Sequence, residues 1–204
     1  MTTVAGLRRP RAATATVEVV LGTGERLRVH DRRVLEHGLH AGAALDPAAE
    51  AALRAAAGVD AAERRALRLI GRRPRSRAEL ERRLGEWGLS AADAAAVLDR
   101  LGAVGLVDDD ALAGAVVSTR RADGYGRLRV GHDLDRLGID GETGAAHATT
   151  TTQEELDRAR SVLGSRRAPD TSDAAGVRRA AAYLARRGFD AETVAAALGL
   201  DLDG

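Results

Sequence analysis

At 204 residues and 45% apolar composition, the chain suits one or two compact units close to the globular average. It has no cysteine, which excludes disulfides and thiolate metal sites, and no apolar run near the roughly 20 residues needed to cross a bilayer. Its net charge of +1 argues against a wholesale nucleic-acid binder, yet all 31 basic residues are arginine, a planar fork suited to carboxylates and phosphates.

In chain order, Met1–Ala15 is rich in Ala, Arg and Thr and carries no apolar h-region, so residues 1–13 read as a disordered tail without a secretory signal and the protein as cytoplasmic. Thr16–Leu21 alternates, Gly22-Thr23-Gly24-Glu25 turns, and Arg26–His30 alternates again, which predicts a β-hairpin. Its glycines form no phosphate loop, because neither a third glycine nor a Lys-Ser/Thr pair follows. Asp31 is expected to cap a short helix, Arg32–His37, and Asp46-Pro47 to open another that runs to Ala57. Residues 14–58 thus form a small α+β head.

Helices follow in threes. The first unit, 60–102, reads as Asp60–Arg72, Ser76–Trp87 and Ser90–Leu101. The second, 108–148, reads as Asp108–Ala122, Arg127–Leu137 and Asp140–Ala148. The third, 152–200, reads as Gln153–Arg167, Ser172–Arg187 and Asp190–Leu198. In the first, Pro74 breaks the ladder, Ser76 and Glu79 form a capping-box pattern, and Gly88 stops the second helix. Leu84-Gly88-Leu89 returns as Leu134-Gly138-Ile139 and Leu184-Gly188-Phe189, with the glycines fifty residues apart and followed by Ser90, Asp140 and Asp190. A repeat of this length without strands predicts a mainly α fold: an elongated, curved array of three tandem three-helix repeats behind a β-hairpin head. Aliphatic residues supply nearly all the apolar content and only Trp87, Tyr125, Tyr183 and Phe189 are aromatic, so thin interfaces and modest cores are expected. The run Thr149–Thr152 is poor helix interior and marks a seam between the second and third units.

Candidate chemistry is sparse. Asp108-Asp109-Asp110 could hold a hard cation, but the three also cap a helix and complement its dipole, the simpler expectation. His37 and His40 lack two further ligands, and no serine or histidine sits in a nucleophile motif. No catalytic, cofactor or metal residues are assigned, and the chain reads as a non-enzyme. Tyr125, between Gly124 and Gly126, either packs over its own loop or stacks on a partner.

The arginines carry the partner-binding reading. Arg72, Arg73, Arg75, Arg77, Arg82 and Arg83 surround the turn between the first two helices of the first unit. Arg120, Arg121, Arg127 and Arg129 surround the equivalent turn of the second, and Arg166, Arg167, Arg178 and Arg179 that of the third. Between these basic stretches lie acidic ones, such as Gly88–Ser118 and Gly138–Asp157. Units stacked in register would line these corners along one side of a curved surface facing an acidic partner. Solvated faces with ion pairs between units are the plainer alternative.

The motifs Arg73-Pro74-Arg75-Ser76, Trp87-Gly88, Gly105-Leu106-Val107-Asp108-Asp109, Gly124-Tyr125-Gly126 and Tyr183-Leu184-Ala185-Arg186-Arg187-Gly188-Phe189 resemble the RecX family of regulatory proteins over about Asp60–Leu198. The head resembles an N-terminal extension seen in some members. Gly114, inside the first helix of the second unit, and Gly141 and Gly144 depart from good helix-forming sequence. The resemblance implies a non-enzymatic, monomeric modulator lying in the groove of the RecA–single-stranded DNA filament and impeding strand exchange, ATP hydrolysis or filament growth, with weak direct DNA binding. The competing class is a DNA-binding module of helix-turn-helix type.

Overall fold

The computed structural model describes residues 1–10, 15–139 and 141–200. It is mainly α with a small N-terminal sheet. Two compact units are present: Met1–Pro74 with Leu80–Leu106, and Arg75–Glu79 with Val107–Gly204.

The first unit opens with strands β1 (Thr2–Arg8), β2 (Thr16–Leu21) and β3 (Arg26–His30), then helix α1 (Arg32–Glu36), strand β4 (Ala44–Leu45) and helix α2 (Pro47–Ile70). The hairpin β2–β3 matches the sequence pattern, but it is half of a four-stranded antiparallel sheet of order β3-β2-β1-β4. The expected disordered tail, residues 1–13, is therefore not such a tail over Thr2–Arg8. Thr2–Arg8 is an inner strand, paired with β2 on one side and β4 on the other, and Val4 is 1% exposed. Composition missed it because a seven-residue strand needs only one or two inward apolar side chains when both edges are hydrogen-bonded. Residues 11–14 lie outside the described residues.

The alternation of β2 puts Val17, Val19 and Leu21 inward, and the last two meet Val29, Leu39, Leu45, Leu53 and Ala57 in one core. Each buried Leu or Val contributes roughly 1.5–3 kcal/mol. Asp46 caps α2, its carboxylate accepting the Ala49 N–H at 2.7 Å, with Pro47 at the first position. Two expected helices prove to be one: α2 runs unbroken through Gly58, so the expected head–repeat boundary at 58–60 falls inside it. A lone helical Gly costs only about 1 kcal/mol, and no neighbour crowds Gly58. Asp60, expected to begin the next helix, is buried, accepts the His30 N–H at 2.6 Å and faces Arg33 at 3.6 Å, tying α2 to β3. Asp31 makes no side-chain cap on α1; it pairs with His30 at 2.9 Å instead. Helices α3 (Arg77–Glu86) and α4 (Ala91–Ala103) follow, with Ser90 capping α4 and Arg100 bound to Glu63 on α2 at 2.7 Å.

The second unit holds α5 (Asp109–Ala122), α6 (Arg127–Leu137), α7 (Gly141–Ala148), α8 (Thr152–Leu163), α9 (Ala174–Arg186) and α10 (Ala191–Leu198). Thr151, in the threonine run, builds a full capping box with Glu154 at the start of α8. Helix α8 stops four residues before the expected Arg167, and Asp173 rather than Ser172 caps α9. Asp140, the expected cap of α7, lies outside the described residues. Gly114 has a local reason: the His147 imidazole packs where its Cβ would be, at 3.3 Å, and that imidazole meets Asp110 at 2.8 Å.

One contact recurs within this unit at the fifty-residue period. The turn after α6, Leu137-Gly138, docks on the opening of α3: the Ser76 hydroxyl donates to the Leu137 carbonyl and Ala78 Cβ lies against Gly138. The turn after α9, Arg187-Gly188, docks in the same way on the opening of α6. Here the Gly126 N–H donates to the Arg187 carbonyl at 2.9 Å and the Leu128 N–H to the Gly188 carbonyl at 3.0 Å. An acid closes each joint: Asp109 accepts the Arg77 N–H at 2.8 Å and Glu155 the Arg127 N–H at 2.6 Å.

Gly88, Gly138 and Gly188 all adopt left-handed φ, at +87°, +68° and +85°. A Cβ would meet nothing within 4 Å at Gly88, Ala78 Cβ at 2.7 Å at Gly138, and the Arg129 backbone at Gly188. Chemical denaturation should therefore rank the alanine variants. Gly88→Ala should cost about 1 kcal/mol from φ alone, Gly138→Ala more, and Gly188→Ala most, at about 3 kcal/mol or above. Equal costs would mean that the joint does not hold the turn.

Candidate partner-binding site

The turn between α5 and α6 is built around Tyr125. The Gly124 and Gly126 positions leave no room for side chains, because a Cβ at Gly124 would sit 2.7 Å from Val162 and one at Gly126 would run into the Gly188 carbonyl. Three guanidinium groups surround the Tyr125 ring: Arg120 and Arg129 at 5.6 Å and Arg187 at 5.4 Å from its centroid. Tyr125 thus packs over its own loop. Buried Asp133 gathers two of these cations, with Arg120 Nε at 2.7 Å and Arg129 Nε at 3.2 Å. Burial pushes the Asp133 carboxyl up, but the hydrogen bonds from Arg129 and Arg120 outweigh it and hold it below the usual carboxylate range.

The other sequence-selected arginines divide into two sets. Arg127 donates through Nε to Asp190 at 2.8 Å, while the other oxygen of Asp190 caps α10 by accepting the Thr193 N–H at 2.8 Å. Arg121 donates through Nη2 to the carbonyls of Ala148 and Thr149 at 3.0 and 2.9 Å, and Arg75 pairs with Glu79. Arg77 is half-buried, with its backbone N–H held by Asp109. The side chains of Arg75, Arg121 and Arg127, and the backbone of Arg77, thus hold parts of the fold together. Arg72, Arg73, Arg82, Arg83, Arg166, Arg167, Arg178 and Arg179 are exposed. Arg82 and Arg83 lie 3.9 and 2.9 Å from Glu86, and Arg179 is 4.0 Å from Asp173. Among the described residues Arg72, Arg166, Arg167 and Arg178 have no ion-pair partner.

Of the three expected carboxylates at 108–110, Asp108 caps α5 through the Ala111 N–H at 2.8 Å, Asp109 closes the joint to α3, and Asp110 meets His147. Sequence reasoning missed Arg187, which lies over Tyr125 and at 4.9 Å from the Tyr183 ring and donates to the Asp123 and Gly124 carbonyls. The signal was present: Arg187 precedes Gly188, the residue of the repeat at which the turn docks.

A family model described as the first three-helix domain of RecX matches residues 62–101. The regulatory protein RecX of Xanthomonas oryzae pv. oryzae (strain PXO99A) is 39% identical over 140 residues, covering 68% of this chain and 86% of its own. This chain belongs to the RecX family. The regulatory protein RecX of Acidithiobacillus ferrooxidans (strain ATCC 53993 / BNL-5-31) is also 39% identical, over 134 residues, 66% of this chain and 86% of its own. The fold agrees with two RecX crystal structures. One, titled regulatory protein RecX, gives a TM-score of 0.74 at 19% identity over 95% of this chain and 97% of its own. The other, from Lactobacillus salivarius, gives 0.60 at 17% identity over 70% and 95%. RecX-family members are named regulatory proteins, and this one has a regulatory, non-enzymatic role. No helix among the described residues is long and apolar enough to cross a membrane.

For this RecX-family chain, Asp133→Asn should cost about 1–2 kcal/mol at pH 7, since both arginine partners are partly exposed. The folded carboxyl titrates below its unfolded value near 3.9, so its contribution is present above that value and lost as pH falls through the folded one. Urea unfolding should show the gap between wild type and variant narrowing below pH 4. A gap that widens there would contradict the assigned role of Asp133.

Proposed function

We propose that this RecX-family protein binds the RecA–single-stranded DNA filament and inhibits recombinase activity, ATP hydrolysis and filament growth. In this reading it acts as a cytoplasmic monomer in DNA repair, recombination and the SOS response, and binds naked DNA weakly. The observation that carries the reading is the relationship to regulatory proteins named RecX, combined with exposed arginines in the first and third helical repeats. The partner-binding site is assigned to the sequence-selected arginines and Tyr125, in two roles: direct contact and support. Arg72, Arg73, Arg82, Arg83, Arg166, Arg167, Arg178 and Arg179 supply the direct contacts. Arg75, Arg77, Arg120, Arg121, Arg127, Arg129 and Tyr125 brace the helix ends and turns of the framework that presents them. Arg72, Arg166, Arg167 and Arg178, which have no ion-pair partner among the described residues, suit this task because each forms bidentate bonds with carboxylate or phosphate without first breaking an internal ion pair.

The purified protein is expected to lower the single-stranded-DNA-dependent ATPase of its cognate recombinase. No effect at several-fold molar excess would remove the proposal. The combined reversal Arg72→Glu, Arg82→Glu, Arg178→Glu should weaken that inhibition by at least about tenfold and leave the helical circular dichroism unchanged. Full inhibition by the reversed protein would place the contact on another face.

A further inference from the structure

Within the second unit a cavity of about 290 Å³ opens where α5, α8 and α9 meet. Four arginines line it from separate elements: Arg121 near the end of α5, Arg158 on α8, Arg167 in the turn after α8, and Arg187 closing α9. Its single lining carboxylate, Asp123, is over half exposed and lies 4.0 Å from Arg120. Arg158 is paired with Glu155, whose other oxygen holds the start of α6. Among the described residues the remaining three cations form no ion pair with a carboxylate. Arg121 and Arg187 donate only to backbone carbonyls, and Arg167 has no hydrogen-bond or ion-pair partner among the described residues.

A structural role accounts for part of this set. Arg121 satisfies carbonyls at the end of α7, and Arg187 those after α5, as basic side chains at helix C-termini do. That role leaves Arg167 unexplained. It also leaves unexplained why four guanidinium groups gather around one lining carboxylate, with only Arg158 in an ion pair among the described residues, when Arg120, Arg127 and Arg129 in the same unit all find a carboxylate. Like charges around one small cavity repel, and an anion bound there relieves the repulsion.

We propose that this cavity binds a phosphodiester of a single-stranded nucleic acid. Planar guanidinium forks match phosphate oxygens in pairs. Arg187 is already oriented, held between the Tyr125 and Tyr183 rings at 5.4 and 4.9 Å, and its bonds to protein use Nη1 alone among the described residues. Among the described residues its Nε and Nη2 donors have no hydrogen-bond acceptor. Tyr183, half-buried in the lining, adds an aromatic surface on which a neighbouring base stacks, which favours a nucleic-acid strand over an acidic peptide. This assignment does not depend on the recombinase, and its test contains none.

The test is fluorescence anisotropy of the full chain with a labelled fifteen-residue oligothymidylate across a salt series. Arg167→Glu changes an exposed, unpartnered side chain and should weaken binding about 5- to 10-fold and lower the salt slope by about 0.7, the value of one single-strand phosphate contact. Arg136→Glu makes the same charge change on an exposed face outside the cavity and should lower affinity less than twofold. In wild-type protein the oligonucleotide should also shift the Nε–Hε resonance of Arg187, a readout that needs no variant. Equal losses from both reversals would show general charge attraction and overturn the assignment. So would an Arg187 resonance that moves with inorganic phosphate but not with the oligonucleotide, or competition by polyglutamate as effective as by unlabelled oligonucleotide.

Discussion

The joint between the turn of one helix pair and the opening of another holds the second unit together. In each case a left-handed glycine lets the chain leave a helix sharply enough to lay its backbone on the first turn of another helix. That first turn carries N–H groups with no intrahelical partner, and the joint satisfies them. At α6 the arriving carbonyls of Arg187 and Gly188 take two of them and Glu155 takes a third. At α3 the Ser76 hydroxyl oxygen accepts the Glu79 N–H and the Asp109 carboxylate the Arg77 N–H, while the Ser76 O–H donates to the arriving Leu137 carbonyl. Backbone satisfaction here replaces the large apolar interface that a chain poor in aromatic residues cannot build. The cores it joins are small: Ala113, Val117, Val130, Leu134 and Ile139 form one, and Ala159, Val162, Leu184, Phe189 and Val194 another.

The joint also decides what the arginines do. Basic residues cluster beside these turns because the turns expose helix ends, where guanidinium groups find carbonyls and capping acids. Arg120 and Arg129 on Asp133, Arg127 on Asp190 and Arg121 on two carbonyls are all drawn in this way. Other arginines, such as Arg72, Arg166 and Arg178, stay exposed and have no ion-pair partner among the described residues. Charge density along the chain therefore does not by itself separate the arginines bound into the fold from the exposed ones, since it counts both alike.

Much of the helical framework was legible in the chain itself. The fifty-residue spacing of Gly88, Gly138 and Gly188 located the ends of three second helices, because a left-handed C-terminal turn admits glycine with no steric cost. Capping residues announced most helix starts. The breaks that failed to appear were those where one weak signal stood alone. Gly58 and Asp60 resemble a stop and a cap, but packing of α2 against the sheet outweighs a cost of about 1 kcal/mol. The strand at Thr2–Arg8 was hidden for the converse reason: its stability comes from neighbours on both edges, not from its own composition.

The sequence by itself determined the helix periods, the turn glycines, the absence of thiol chemistry and the family, because these depend on residue type at fixed local spacing. Only the tertiary structure decided that Tyr125 is sandwiched by cations, that Asp133 gathers two guanidinium groups, and that Arg121, Arg158, Arg167 and Arg187 converge on one cavity. Those residues lie up to 66 positions apart, and their meeting depends on how helix ends dock, which no local pattern encodes.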